Sequence, residues 1–266
     1  MKARGLANAT IQRRMIFVRR FYKFLYRQGL IPNNPLDPIF VPLPKTSEDE
    51  ITVTPLTEEE VNKILMVPSQ SWRGRRNYTI MVFALALGLR RSELGKIRTE
   101  QFQRNKESGL LEFSISTKRG KQRRCILRPS VEQALRRWIE IRGAYNGPLF
   151  PAARLTGMKA IDPAQIRDNI HSLALKAGIQ FREASASDGR KSSRWHVSPH
   201  SFRATCIAQM YKAGIGINEI AAFVGHDDPA VTLRYIKRID ANKVKIGATF
   251  DHFILGTLGH GNGQHA

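Results

Sequence analysis

Cysteine is nearly missing from this chain: Cys125 and Cys206 are the only two in 266 residues, and neither lies in a C-x-x-C pair. A disulfide scaffold is excluded, and a reduced cytosolic protein is the simplest reading. Long hydrophobic runs are missing too. The longest, Ile80–Leu89, contains a glycine and falls well short of the ~18 apolar residues of a membrane span. No apolar stretch follows Met1-Lys-Ala-Arg4, so export is not expected and the chain reads as cytoplasmic. Acidic residues are scarce: 22 Asp and Glu stand against 43 Lys and Arg, a formal charge of +21 with a pI near 10.6. The first thirty residues hold eight Lys or Arg and no acid. With 42% hydrophobic residues the chain has the means to build a core, which excludes a disordered polycation. A folded, strongly basic chain points to nucleic acid before membrane or acidic protein.

Several chemistries are excluded by what is not there. No G-x-x-x-x-G-K-[ST] loop offers a nucleotide cradle, and Gly259–Gly263 has suitable glycine spacing but follows no strand. The acids fall mostly in a linker or on helix surfaces, which argues against a two-metal nuclease. His196 and His200 are four apart, but Pro199 forbids a continuous helix through both and no Glu follows His196. No metal site and no cofactor are expected.

Apolar residues recur at Ile11, Met15, Val18, Tyr22, Leu25 and Tyr26, which predicts a helix over Thr10–Leu30 stopped by Gly29. Its other face carries Arg13, Arg14, Arg20, Lys23 and Arg27. That face is either a solvated surface or, with no acids nearby, a contact to a phosphate backbone. A stretch rich in Pro, Thr and Ser follows, so residues 1–45 form a first small helical piece and 46–56 a linker. Thr57-x-x-Glu60 is a capping box that opens a second domain over 57–240. There, Tyr78–Leu87 reads as a central buried helix, and Leu110–Ser116 with Gln122–Leu127 as two strands around a basic hairpin. Further helices are expected after Ser130, Asp162, Ser198, Asn218 and Asp228, and Ser185–Ser193 reads as a loop.

Four segments carry polar residues where packing alone predicts none. Arg90 follows the buried helix and Gly88; it either snorkels or faces an anion. Lys118, Arg119 and Lys121 crowd the hairpin, where a lysine either meets solvent or a groove, or delivers a proton to a leaving oxygen. Ser198-Pro199 opens a helix whose first turn holds His200 and Arg203, a surface pair or a phosphate site at the electropositive helix end. Gly225-His226 closes one helix and Tyr235 lies on the next, a half-buried aromatic or a nucleophile in a cationic setting.

Taken together, Arg90, Lys118, His200-x-x-Arg203, Gly225-His226 and Tyr235 occur in the order and spacing of the tyrosine recombinase (phage integrase) family. The chain resembles that family from Thr10 to Arg238. Gly88-Leu-Arg90-Arg-Ser-Glu-Leu94 is similar to its G-L-R-x-S-E-L box, and Thr117-Lys118-x-x-Lys121-x-Arg123 to its hairpin lysine. His226 and Tyr235 keep its nine-residue separation. Leu87, Ala204 and Val231 depart from the usual Thr, His and Thr, none of them at a catalytic position. The first domain is about half the usual length, as in a fragment or a compact member.

The resemblance implies a mainly α-helical fold with a small antiparallel β-sheet, arranged as a two-domain C-shaped clamp on duplex DNA. It implies Tyr235 as nucleophile, forming a 3′-phosphotyrosyl link, with Arg90 and Arg203 on the non-bridging oxygens and His226 as a further donor. Lys118 is the implied general acid and His200 the implied acceptor of the tyrosine proton, and neither ATP nor metal is required. Strand exchange through a Holliday junction on a homotetramer, with accessory DNA-bending proteins, is implied as well. Residues 241–266, with Phe250, Phe253, Ile254 and Leu255, are expected to pack on a neighbouring protomer, or else in cis. Two other functions fit parts of the pattern: a type IB topoisomerase, and a sequence-specific DNA-binding protein without catalysis.

Overall fold

A computed structural model describes residues 6, 8–38, 41–44, 53–116, 120–154, 159–184 and 193–236. The chain divides into two compact units, Met1–Thr52 with Phe181–His196, and Val53–Gln180 with Val197–Ala266.

In the first unit, helix α1 spans Asn8–Arg27. It stops short of the expected Leu30 because Gly29 turns left-handed, φ 67°, and its N–H and that of Leu30 return to Tyr26 and Leu25 carbonyls, a C-cap that glycine favours. Ile11 is buried; with Met15, Val18 and Tyr22 it lines a 670 Å³ cavity faced by Leu36 and Val41. The Arg19 guanidinium donates to the Val41 carbonyl. Two short strands, β4 (Arg182–Ala184) and β5 (Ser193–Trp195), pair antiparallel in the same unit. Ser193, expected in a loop, is therefore in a strand, and 185–192 lie outside the described residues.

The second unit holds the main core. Of the expected linker, 46–52 lie outside the described residues. Leu56 is no linker residue at all: it is buried, and its N–H donates to Thr205 Oγ1 at 2.8 Å. Helix α2 (Glu58–Met66) opens on the expected capping box, Glu60 N–H to Thr57 Oγ1 and Thr57 N–H to Glu60 Oε2. Helix α3 (Trp72–Leu87) starts six residues before Tyr78, capped by Ser71; its first turns are arginine-rich and show no apolar period. Its Ile80, Met81, Phe83, Ala84 and Leu87 are buried, packed against α5 (Pro129–Arg142) and α7 (Pro199–Lys212). Phe83 meets Phe113 and Phe150 at ring-centroid distances of 6.2 and 5.8 Å, and Trp72 meets Trp138 edge-on at 5.3 Å.

The short helix α4 (Arg91–Leu94) leads to the sheet of β1 (Gln103–Arg104), β2 (Leu111–Ser116) and β3 (Gln122–Leu127), ordered β1-β2-β3 and antiparallel, with Ser116 opposite Gln122. Helices α6 (Pro163–Lys176), α7 and α9 (Pro229–Ile236) begin after Asp162, Ser198 and Asp228 as expected, each side-chain oxygen accepting a backbone N–H. Two starts differ. Helix α5 begins at Pro129, so Ser130 lies in its first turn; proline's fixed φ suits the first helical position. Helix α8 (Ile217–Val224) is capped from Gly216, whose N–H donates to Glu219 Oε2 at 3.0 Å, and Asn218 lies inside the helix. The fold is mainly α with a small antiparallel sheet. Among the described residues no helix is long and apolar enough to cross a membrane.

Candidate active site

Two helices of the second unit end on left-handed glycines. Helix α3 closes at Gly88 (φ 58°) and α8 at Gly225 (φ 71°). A Cβ at Gly88 would stand 2.9 Å from Val224 Cγ1 and 3.3 Å from Cys206 Sγ, so both the backbone and the close approach of α8 call for glycine there. The last carbonyls of a helix have no intrahelical partner, and they form the negative end of its dipole. Here arginines take them. Arg203 Nη1 donates to the Gly88 carbonyl, and Arg90 Nη2 to the Gly225 carbonyl at 2.9 Å. Arg123 donates through Nη1 to the Phe223 carbonyl at 2.8 Å and through Nη2 to the Leu87 carbonyl at 3.2 Å. One buried carboxylate joins them: Glu93 accepts from Arg90 Nη1 and from the Arg90 backbone N–H, both at 2.7 Å. Partial negative charge from two helix ends thus makes room for guanidiniums without cancelling their charge.

Arg203 is 1% exposed. Burial, then the like charge of Arg90, lowers its pKa to about 10. Its Nη2 is buried without a hydrogen-bond partner among the described residues. The buried arginines elsewhere differ: Arg142 donates to the Pro148, Gly143 and Tyr145 carbonyls, and Arg76 to those of Pro151 and Ala152. Those two are structural. A buried donor without a partner is costly, and at Arg203 nothing among the described residues relieves it.

His226 follows Gly225, and its Nδ1 lies 2.8 Å from Thr232 Oγ1. The ring stacks on Tyr235, centroids 5.8 Å apart and planes 13° from parallel. Burial, then Arg203, Arg90 and Arg123, pushes the His226 pKa down to about 3, so the imidazole is neutral. Tyr235 is half-buried on α9, near enough to Arg203 for its charge to act on that pKa. His200 stands exposed in the first turn of α7, its pKa lowered by desolvation and by Arg91, Arg203 and Arg90.

The His226 shift has a measurable sign. Between the ordinary value of 6.5 and about 3, an unfolded chain takes up a proton that the folded one refuses. The stability contributed by this group is full above pH 6.5 and is lost as pH falls through that window. The urea midpoint of the parent should therefore fall more steeply than that of His226→Asn as pH is lowered from 6.5; parallel curves would mean that the folded protein holds a charged imidazole.

Five expected residues, Arg90, His200, Arg203, His226 and Tyr235, thus gather around one cluster. The sixth, Lys118, lies outside the described residues, as do Arg119 and 241–266. Lys121, expected to meet DNA, pairs with Asp227 at 3.0 Å. In the first unit Arg13, Arg14, Arg20, Lys23 and Arg27 are all exposed. At 3.6 residues per turn, Arg13, Arg20, Lys23 and Arg27 form one stripe. Arg14 departs from it and sits beside a ridge of Phe17, Phe21 and Phe24, all more than half exposed, which the sequence reading passed over. Sequence reasoning also missed Glu93, Arg123 and Thr232. Glu93 and Arg123 sat inside quoted motifs without a role, and no periodicity announces a buried charge. Among the described residues no three His, Cys, Asp or Glu side chains group to hold a metal ion.

A tyrosine recombinase XerC of Bacillus pumilus is 26% identical over 233 residues, covering 87% of this chain and 71% of that protein. A XerC of Xanthomonas campestris matches at the same 26% and 87%, and there the chain spans 65% of its relative's length. The structure of the Tn1549 transposon integrase in complex with transposon right end DNA is 19% identical, covers 96% of this chain and 82% of its own, and superposes with a TM-score of 0.67. The sequence profile of the phage integrase family matches residues 54–241, which take in all six expected catalytic positions, and the chain belongs to that family, the tyrosine recombinases.

Proposed function

We propose that this protein is a site-specific recombinase that cleaves and rejoins duplex DNA through a 3′-phosphotyrosyl intermediate. The observation that carries the reading is the Arg90–Arg123–Arg203 cluster, held by helix-end carbonyls, with one carboxylate and two unpartnered guanidinium nitrogens, Arg123 Nε and Arg203 Nη2. A tetrahedral phosphate is the ligand such a cluster suits, since guanidiniums bind its non-bridging oxygens in pairs.

Tyr235 Oη attacks the scissile phosphorus, and the bond to the 5′-oxygen breaks. The tyrosine proton passes to His200, and Lys118 protonates the departing 5′-oxygen. Arg90 and Arg203 stabilise the charge that builds on the non-bridging oxygens. The Thr232 hydroxyl donates to His226 Nδ1, which leaves the proton on Nε2 and turns that nitrogen toward the phosphate as a donor. The covalent ester conserves the energy of the phosphodiester, so a 5′-hydroxyl from a partner strand reverses the step and completes exchange.

The finer assembly is part of the same proposal. Residues 1–45 serve as a partial core-binding domain and 57–240 as the catalytic domain of a C-shaped clamp. The tail 241–266 packs on a neighbouring protomer. Four copies act on a Holliday junction, aided by DNA-bending proteins, in the cytoplasm of a bacterium or of a cell hosting a phage.

The test is a denaturing gel of the protein with nicked duplexes drawn from DNA flanking its gene. A 5′-labelled strand should shift into a covalent adduct, with phosphotyrosine on the peptide containing Tyr235. A sequence-specific footprint without adduct would make it a binding protein, and relaxation of supercoiled DNA lacking any such site would make it a topoisomerase. The +21 charge carries a further expectation: log K should fall with log[salt] with the slope of at least ~6 neutralised phosphates. A slope of one or two would end the clamp.

A further inference from the structure

We propose that Arg123 is a positioning residue that sets the separation of the Arg90 and His226 turns, and so the rate of cleavage. The proposal rests on the reading of the cluster as a phosphoryl-transfer site. Arg123 projects from β3 and is 7% exposed. Both of its terminal nitrogens are committed to carbonyls, Leu87 at the end of α3 and Phe223 at the end of α8. Leu87 lies three residues before Arg90, and Phe223 three before His226. One side chain therefore spans the two helix ends that deliver two phosphate ligands.

Two features suit β3 to be the fixed reference. It pairs with β2 along its length, and it plants Cys125 and Leu127 in the core. Lys121, the residue before β3, pairs with Asp227. The third strand and the residue before it thereby hold the end of α8 at Phe223 and the α8–α9 turn at Asp227, on either side of Gly225-His226. Arg123 is offered as a strut and not as a phosphate ligand: each of its Nη atoms bonds a backbone carbonyl at a helix end.

The geometry distinguishes a strut from a charge. A lysine at 123 keeps the charge but offers a single nitrogen, which is unable to span two carbonyls as the guanidinium fork does. Single-turnover adduct formation by the full chain, at saturating nicked duplex, should slow by roughly 10²-fold in both Arg123→Lys and Arg123→Gln, the scale of a 1 Å misplacement, with parental amplitude and DNA affinity. Partial unfolding lowers amplitude and leaves the rate constant alone, so a loss of amplitude only would overturn the proposal. So would a parental rate in Arg123→Lys, which would assign its effect to charge. Should neither variant fold, Asp227→Asn, an exposed change, tests the other grip. A severalfold slower rate supports the strut and a parental rate refutes it. Tyr235→Phe in the same assay keeps the two ideas apart: an adduct surviving there would defeat the site reading, whatever Arg123 does.

Discussion

Tyr235→Phe is expected to abolish covalent adduct formation altogether while leaving fold and DNA affinity close to parental. The substitution removes one oxygen and keeps the ring, so the stack on His226, 5.8 Å between centroids, survives. Tyr235 is half-buried, and a hydroxyl in that position contributes about 1 kcal/mol of net hydrogen bonding at most. The chemical loss is of another order. No carbon of phenylalanine attacks phosphorus, and water in its place would leave a broken strand without attached protein. The measurement is the adduct gel beside a thermal melt and a binding isotherm. An adduct that persists in Tyr235→Phe would assign the nucleophile elsewhere.

Lys118→Ala should slow cleavage by about 10²–10⁴, the usual contribution of a general acid, and that loss should be repaired by chemistry on the substrate. An unprotonated 5′-oxygen leaves as a poor alkoxide. Replacing that bridging oxygen by sulfur lets a far more stable thiolate depart, which needs little help from a proton. The sulfur substrate should therefore restore Lys118→Ala and leave Tyr235→Phe inactive. Arg90→Ala and Arg203→Ala should stay slow as well, because their task concerns the non-bridging oxygens. Failure of sulfur to rescue Lys118→Ala, with rescue of a different variant, would reduce Lys118 to a groove contact and move the general acid.

The order of elements and the ligands of the site were legible for different reasons. Caps announce themselves locally: Thr57, Asp162, Ser198 and Asp228 each bond an N–H two or three residues on, so four helix starts follow from the chain alone. Ser130 and Asn218 misled because their neighbours, Pro129 and Gly216, suited the start better. The front of α3 was hidden because Trp72-Arg73-Gly74-Arg75-Arg76 has no apolar stripe; Arg76 is buried all the same, bonded to carbonyls 75 and 76 residues away. Arg123 was hidden for the same reason, whereas Glu93 and Thr232 bond Arg90 and His226, three and six residues away, and no apolar pattern marks them. What buries a charge is a partner distant in sequence, such as Phe223, a hundred residues from Arg123. The five gathered residues were recognisable by their order, but why they converge, two glycine-ended helices offering carbonyls to three arginines, is a tertiary fact.

A cluster of guanidiniums held by dipoles and matched by one carboxylate has a consequence for the lifetime of the protein. Mutual repulsion among Arg90, Arg123 and Arg203 is strain that the folded chain carries whenever no anion lies among them. A ligand that binds only the folded form adds RT ln(1 + [L]/Kd) to stability, about 2.7 kcal/mol at a hundredfold excess over Kd. DNA is then a folding ligand as well as a substrate. Copies seated on duplex resist unfolding and the proteases that follow it, while unseated copies, with the same contacts less the phosphate, are the first to be cleared. Occupancy of DNA would then set how long each copy endures.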